Sequence, residues 1–111
     1  MFLFRGGDSI TMKQSPEKWQ AHMQRWGAWM GALANEGKFV GAQPLSKDGK
    51  HVIGTKKAVT DGPYVEGKEV IGGYMICKAS SFEEAMEISK GCPILEFDTG
   101  VVEVREITEM A

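Results

Sequence analysis

The chain has 111 residues, of which 42% are apolar and 25% are charged, and these values predict one globular domain spanning residues 1–111. The net charge of −2 argues against nucleic-acid binding, which needs a basic surface. No apolar run approaches the roughly 20 residues of a membrane-spanning helix. The two cysteines and two histidines do not have zinc-site spacing. We therefore expect a cytoplasmic protein without metal or cofactor that binds neither nucleic acid nor membrane.

The N-terminal third predicts a strand followed by a long helix. In residues 2–5, successive side chains alternate between two faces, so both phenylalanines share one face and Arg5 lies on the other. Ser15 followed by Pro16 is typical of a helix start, and we expect this helix to end near Asn35. Its apolar residues recur at helical spacing and form a core-facing stripe.

The middle of the chain predicts a hairpin insert and then a central strand. A short strand at 38–42 precedes a hairpin turn at 47–49 and a returning strand at 51–53. Residues 56–60 either extend that returning strand or begin another one. The segment 69–78 is apolar on both faces, which is typical of a strand inside a sheet.

The C-terminal third predicts a second helix and a final strand. Ser81 and Glu84 have the spacing of a capping box, and we expect the helix that they begin to run to about Lys90. The last strand is expected at 101–107. The second helix is expected to bury Phe82, Ala85 and Met86.

This order of elements predicts an α+β, ferredoxin-like split-βαβ fold. Its four-stranded antiparallel sheet would carry two helices on one face, and the hairpin would be an insert. The uncovered face would carry Leu3, either Met75 or Tyr74, and the charged Arg5, Glu103 and Arg105. A face that is partly apolar and partly charged predicts a homodimer, in which two sheets enclose a polar cavity as a dimeric α+β barrel.

Five segments cover nearly the whole chain in order and carry a family resemblance: 5–8, 20–33, 60–76, 81–93 and 102–107. In these segments the chain resembles the YCII-related proteins, and within them the DGPF-domain subgroup. Two positions depart from the subgroup's pattern, since Tyr64 replaces the usual Phe and Ile94 stands where relatives often have His. The resemblance implies a dimeric α+β barrel with a first-helix His and an Asp near a cleft, and a link to extracytoplasmic-function sigma factors.

His22 and Asp61 are the candidate catalytic residues. His22 lies within the apolar stripe of the first helix, where burial favours the neutral imidazole that a general base requires. The alternative is a core histidine that only hydrogen-bonds the backbone. Asp61 would orient His22 or a ligand, or would only shape the Asp61-Gly62-Pro63 turn. Asp48 is a rival for the family's Asp.

Six further residues are candidates for a ligand site. A glycine pair inside a strand either leaves room for a ligand or marks a bulge, and the arginines of the uncovered face either bind an anion or form an ion network with Glu103. We expect a small-molecule enzyme that uses His/Asp acid–base chemistry in a dimer cavity. The alternative is a non-catalytic ligand-binding or protein-interaction module, accessory to a sigma-factor-type regulator. The six candidates are Arg5, Trp26, Tyr64, Gly72, Gly73 and Arg105.

Overall fold

The computed structural model describes residues 1–7, 15–62 and 70–110. Four of its strands form one antiparallel sheet in the order β2-β5-β1-β6, and the other two pair with each other as a separate hairpin. This strand order, with two helices, confirms the predicted ferredoxin-like fold class. The elements are β1 (Phe2–Arg5), α1 (Pro16–Asn35), β2 (Phe39–Pro44), β3 (Gly49–Ile53), β4 (Ala58–Gly62), β5 (Ile71–Cys77), α2 (Phe82–Ser89), a 3₁₀ helix (Pro93–Glu96) and β6 (Val101–Val104).

Strand β1 lies between β5 and β6, and its alternation defines the two faces of the sheet. Phe2 is opposite Met75 on β5, and both side chains are fully buried. Leu3 is opposite Tyr74 on one side and Glu103 on the other, so these three residues share the uncovered face. Of the two residues considered for that face, Tyr74 is therefore the one that lies there, and Met75 belongs to the core.

Helix α1 covers the inner face through an aromatic layer. The ring of Trp26 meets that of Phe4 edge-on at a centroid distance of 5.1 Å, and Trp29 stacks on Phe2 at 6.1 Å. Such pairs contribute about 0.5–1.5 kcal/mol each beyond the area that they bury. Neither helix of the described residues is long and apolar enough to cross a membrane.

The hairpin insert differs from the prediction. Strand β3 pairs with β4, and β2 pairs with β5 instead of with β3, so the predicted turn at 47–49 is wrong. The turn lies at 54–57, where Gly54 has φ +70° and Lys57 has φ +54°, and the Lys57 amide donates to the Gly54 carbonyl at 3.1 Å. Ile53 and Ala58 on either side of these four residues are paired, so the loop is a four-residue hairpin connection. Asp61 lies in β4 and not in a turn.

Two further features differ from expectation. Of the three residues that the second helix was expected to bury, Ala85 packs against the core as predicted, together with Ile88. Phe82 and Met86 lie on the other side of α2 and are 49% and 43% exposed. Strand β6 ends at Val104 and not at residue 107, although the Arg105 backbone still exchanges hydrogen bonds with Met1, the residue before β1.

The glycine pair of β5 accommodates a bulge. Phe4 is opposite Gly73 whereas Arg5 is opposite Ile71, so Gly72 is the extra residue of β5. A Cβ on Gly73 would lie 3.1 Å from the Gln43 carbonyl oxygen of β2, which is tighter than ordinary packing. Close backbone packing therefore accounts for Gly73, whereas Gly72, where a Cβ would lie 4.0 Å from the Phe4 carbonyl oxygen, is the extra residue of the bulge.

The segment after α2 lies directly on the end of β1. A Cβ on Gly6 would lie 1.8 Å from the Thr99 carbonyl oxygen, and one on Gly100 would lie 1.9 Å from that of Ile94. The Gly7 amide also donates to the Thr99 hydroxyl at 3.1 Å. These approaches hold the 3₁₀ helix and the residues that follow it beside α1.

Gly100→Ala is expected to destabilise the domain by about 3 kcal/mol or more, because the new methyl group would overlap a backbone oxygen. The control is Gly31→Ala on the exposed side of α1, where a Cβ meets nothing within 4 Å and should stabilise the helix by about 0.5–1 kcal/mol. Urea unfolding of both variants measures the difference. An unchanged midpoint for Gly100→Ala would contradict this packing of the segment.

Candidate functional site

His22 is buried between α1 and the segment that follows α2. His22 is only 5% exposed, as its position in the apolar stripe of α1 predicts. Three aromatic rings surround the imidazole, with centroid distances of 6.2 Å to Trp19, 6.3 Å to Trp26 and 5.2 Å to Phe97. A polar ring in such surroundings needs hydrogen-bond partners for its nitrogens.

Both ring nitrogens of His22 have partners. The Trp26 indole nitrogen lies 2.9 Å from Nε2 of His22, and it can only donate, so Nε2 accepts with its lone pair. The proton of the neutral ring is then on Nδ1, which lies 3.3 Å from a carboxylate oxygen of Glu96. Trp26 follows His22 by one helical turn, which is the spacing that lets the two side chains meet.

Glu96 is held from its other side by Arg25. The Nη2 of Arg25 donates to Oε2 of Glu96 at 2.8 Å, and its Nε donates to Oε1. The Arg25 hydrogen bonds lower the pKa of Glu96 and are the largest effect on it. Burial opposes them, and the His22 hydrogen bond, a smaller effect than burial, lowers the pKa further. The Glu96 hydrogen bond in turn raises the pKa of Arg25. Trp26, His22, Glu96 and Arg25 therefore form one continuous network, here called the His22 network.

The His22 network orients the imidazole but directs its lone pair at Trp26. A general base must have a free lone pair within reach of the proton that it accepts. In this conformation Nε2 already accepts the indole proton at 2.9 Å, so a substrate could use it only after Trp26 had turned away. The geometry favours the interpretation of His22 as a core histidine, with side-chain partners in place of the expected backbone carbonyl.

Asp61 lies elsewhere, at the base of the β3–β4 hairpin. Its carboxylate accepts from Lys50 Nζ at 3.2 Å, and its side chain is 86% exposed. Within this chain His22 and Asp61 are not in contact, since the polar partners of His22 are Trp26 and Glu96. Asp48, the rival aspartate, lines the same open cleft of about 420 Å³ as Asp61.

The uncovered face of the sheet carries the second group of candidates. Arg5 Nη2 donates to Glu103 Oε1 at 2.7 Å, and Arg105 Nη1 lies 3.7 Å from Glu103 Oε2. The Nε of Arg5 is buried and forms no hydrogen bond with any described residue. The backbone of Arg105 continues the pairing of β6 with β1, because its amide donates to the Met1 carbonyl at 2.9 Å.

The sheet separates the candidate residues into two groups. Arg5 points away from Phe4, its neighbour in β1, and therefore away from Trp26 and His22 on the helix side. Arg5 and Arg105 meet at Glu103, whereas Trp26 belongs to the His22 network. Gly72 and Gly73 lie in the bulge of β5, and Tyr64 lies outside the described residues.

The residues that the structure describes favour neither a nucleophilic cysteine nor a metal site. Burial raises the pKa of the Cys92 thiol to about 12, and burial also raises that of Cys77. A nucleophilic cysteine needs the opposite shift. No three His, Cys, Asp or Glu side chains of residues 1–7, 15–62 and 70–110 are grouped so that they could hold a metal ion.

Glu96 and Arg25 are functional candidates that the sequence pattern did not identify. Arg25 had a local signal, because it follows His22 by three residues on the same helix. Glu96 had none, since it is 74 residues from His22 along the chain and reaches it only through the packing of the 3₁₀ segment on β1.

A family model for the YCII-related domain matches residues 8–111, which is nearly the whole chain. The chain belongs to the YCII-related domain family. No curated protein matches this YCII-related domain by sequence. The family match confirms the resemblance to the YCII-related proteins, and the observed sheet order is that of the predicted ferredoxin-like fold.

Glu96→Gln tests the His22 network through pH. Because the folded protein lowers the pKa of Glu96, this carboxylate stabilises the fold above the ordinary glutamate pKa of about 4.3 and loses that contribution as the pH falls through the lowered value. Urea unfolding between pH 7 and pH 3 should therefore show native protein more stable than Glu96→Gln at neutral pH, with the gap closing on acidification. The control, Glu109→Gln at an exposed position, should show no such gap. A gap that is constant with pH would contradict the network.

Proposed function

We propose that this YCII-related domain is a non-catalytic binding module of the DGPF type, which acts as a homodimer and holds a small anionic molecule between its sheets. The observation that carries the proposal is that Arg5 and Arg105 share the single carboxylate of Glu103. The three groups together keep a net positive charge on the uncovered face. An anionic carboxylate or phosphate group would balance that charge.

The chemistry of Arg5 supports an anion as the ligand. A guanidinium offers several N–H groups in a rigid fork, which matches two oxygens of a carboxylate or phosphate. Glu103 occupies one part of the Arg5 fork at 2.7 Å, and the buried Nε has no hydrogen-bond partner among the described residues. A buried N–H without a partner is costly, so a ligand oxygen that reached it would gain affinity.

The apolar part of the same face supports a second copy of the chain as its cover. Leu3 and Tyr74 are directly opposite each other on β1 and β5, next to the charged cluster. A sheet face of this mixed kind is stabilised when it is covered, and a second identical sheet covers it with a two-fold symmetric contact. The charged groups would then line a chamber of reduced water content, where ion pairing is stronger.

A second candidate function is acid–base catalysis at His22 with Glu96 in the orienting role expected of Asp61. The observation that favours it is the 3.3 Å contact between Nδ1 and the Glu96 carboxylate. Such a contact fixes the tautomer that leaves Nε2 basic. Catalysis would require Trp26 to release Nε2, and the substrate would approach from the helix side of the sheet and not from the dimer chamber.

Inorganic phosphate is the probe for the anion site. Native protein is expected to bind phosphate at millimolar concentration in calorimetry, and Arg5→Gln should weaken that binding at least tenfold, because the fork that receives the anion is lost. Arg25→Gln is the matched control, since Arg25 lies on α1 and is paired with Glu96. Equal binding by all three proteins, or none by native protein, would contradict the anion site.

Trp26→Phe and His22→Gln separate the two functions. On the binding proposal, Trp26→Phe leaves Nε2 of the buried His22 without a partner and costs about 1–3 kcal/mol of stability, while phosphate affinity stays within twofold of native. The same is expected of affinity in His22→Gln. The competing result comes from a metabolite screen. If native protein turns over a compound and folded His22→Gln does not, the protein is an enzyme and the binding proposal is wrong.

A further inference from the structure

Strand β3 of the β3–β4 hairpin is exposed along its whole length. Val52 is directly opposite Val59, and their exposures are 67% and 62%. On the other face His51 is opposite Thr60, whose hydroxyl oxygen is buried, and Ile53 is 52% exposed. On its first face the hairpin therefore presents a cross-strand pair of β-branched apolar side chains to solvent. This pair is here called the valine pair.

A hairpin of this kind needs support from another surface. Two strands alone are marginally stable in water, and packing against a further element is what usually stabilises them. Strands β3 and β4 pair only with each other in the described sheets. A cross-strand pair of β-branched residues contributes most when it is covered, and the valine pair is not covered within this chain.

The hairpin lies at the periphery of the chain, since all of β3 is exposed and β3 and β4 form a sheet of their own. The radius of gyration is 15.9 Å, whereas a compact domain of about 100 residues has about 13 Å. The extents are 46 × 45 × 20 Å, so the molecule is broad and only about as thick as a sheet with one layer of helices. A broad, thin protomer has more of its surface available to a second copy than a sphere would have.

The area of the uncovered sheet face indicates why a second copy would need the hairpin. Four strands spaced about 4.8 Å apart, each paired over about five residues, span roughly 300 Å² in projection. A stable interface buries about 800 Å² on each partner. The sheet face alone falls short of that value even if its relief doubles the accessible area. A dimer formed through this face needs an additional contact surface.

Charge supports the same partner. Between residues 47 and 61 the hairpin region carries four lysines and two aspartates, a net charge of +2, in a chain whose total is −2. The remaining residues therefore carry −4. A basic hairpin at the periphery and an acidic body attract each other between two copies of the chain, and this complementarity favours association of unlike surfaces.

From these observations we infer that the β3–β4 hairpin is an intersubunit arm, which packs its valine pair on a second copy of this chain. The inference rests on the homodimer of the proposed function and extends its interface beyond the sheet faces. It commits to no catalytic role. By this inference the arm is part of the contact that encloses the chamber.

The test replaces the valine pair by Val52→Thr with Val59→Thr. Threonine keeps the β-branched shape and the strand propensity, so the hairpin should persist while its apolar contact is lost. The control is Val40→Thr on β2, at a residue 53% exposed. Sedimentation equilibrium is expected to show at least a tenfold rise in the dimer dissociation constant for the double variant, and less than a twofold change for the control.

The outcomes distinguish the arm from the dimer. A native protein that is monomeric at millimolar concentration would overturn the dimer, and the arm with it. A native dimer whose dissociation constant is the same in the double variant would overturn the arm alone. An equal loss of affinity in the Val40→Thr control would also overturn the arm, because the effect would then not be specific to the hairpin.

A second measurement does not depend on removing the valines. A spin label on Thr55→Cys, in the turn of the hairpin, is mixed with isotope-labelled native protein that carries no label. Selective labelling near neutral pH is favoured because burial keeps Cys92 and Cys77 protonated. The expected result is broadening of amide signals in the isotope-labelled partner. Dimers without such intermolecular broadening would overturn the arm.

Discussion

The pairing of β1 between β5 and β6 is the constraint on which the rest of this domain depends. The strand has only four residues, yet it places Phe2 in the core and Arg5 on the opposite face. Its end also receives the segment that follows α2, through contacts so close that Gly6 and Gly100 have no room for a Cβ. The core, the uncovered face and the position of Glu96 all follow from this strand.

The same constraint separates the two kinds of chemistry that the chain can offer. The His22 network lies on the helix side, with His22 buried and Arg25 and Glu96 partly exposed, and its hydrogen bonds satisfy one another. The two arginines of the uncovered face share one carboxylate and retain positive charge. A mutually satisfied network stabilises a fold, whereas an unbalanced charge on an uncovered face attracts a ligand or a partner. This difference places the proposed binding function on the Arg5 side of the sheet.

The proposed dimer and the hairpin arm depend on each other energetically. The uncovered face contributes apolar contacts and charged groups over a small area, and the hairpin contributes an apolar pair and a basic charge beyond the edge of that face. If both contacts form, the chamber is enclosed by parts of two chains. Ligand binding would then be linked to dimer formation, since anything that binds only the dimer stabilises it by mass action.

Much of this fold could be predicted because local patterns determine it. The alternation of side chains along β1 predicted that Phe2 and Phe4 share one face, and the apolar stripe of α1 predicted that His22 is buried. The Ser81 side chain accepts a hydrogen bond from the Glu84 amide, as the capping pattern predicts. The sequence did not determine which residues meet across the fold. The Glu96 partner of His22, the 54–57 turn and the choice of Tyr74 over Met75 all depend on register or on contacts between distant segments. Periodicity within a helix or strand is set by neighbouring residues, whereas register and loop packing are decided only when separate segments compete for the same core.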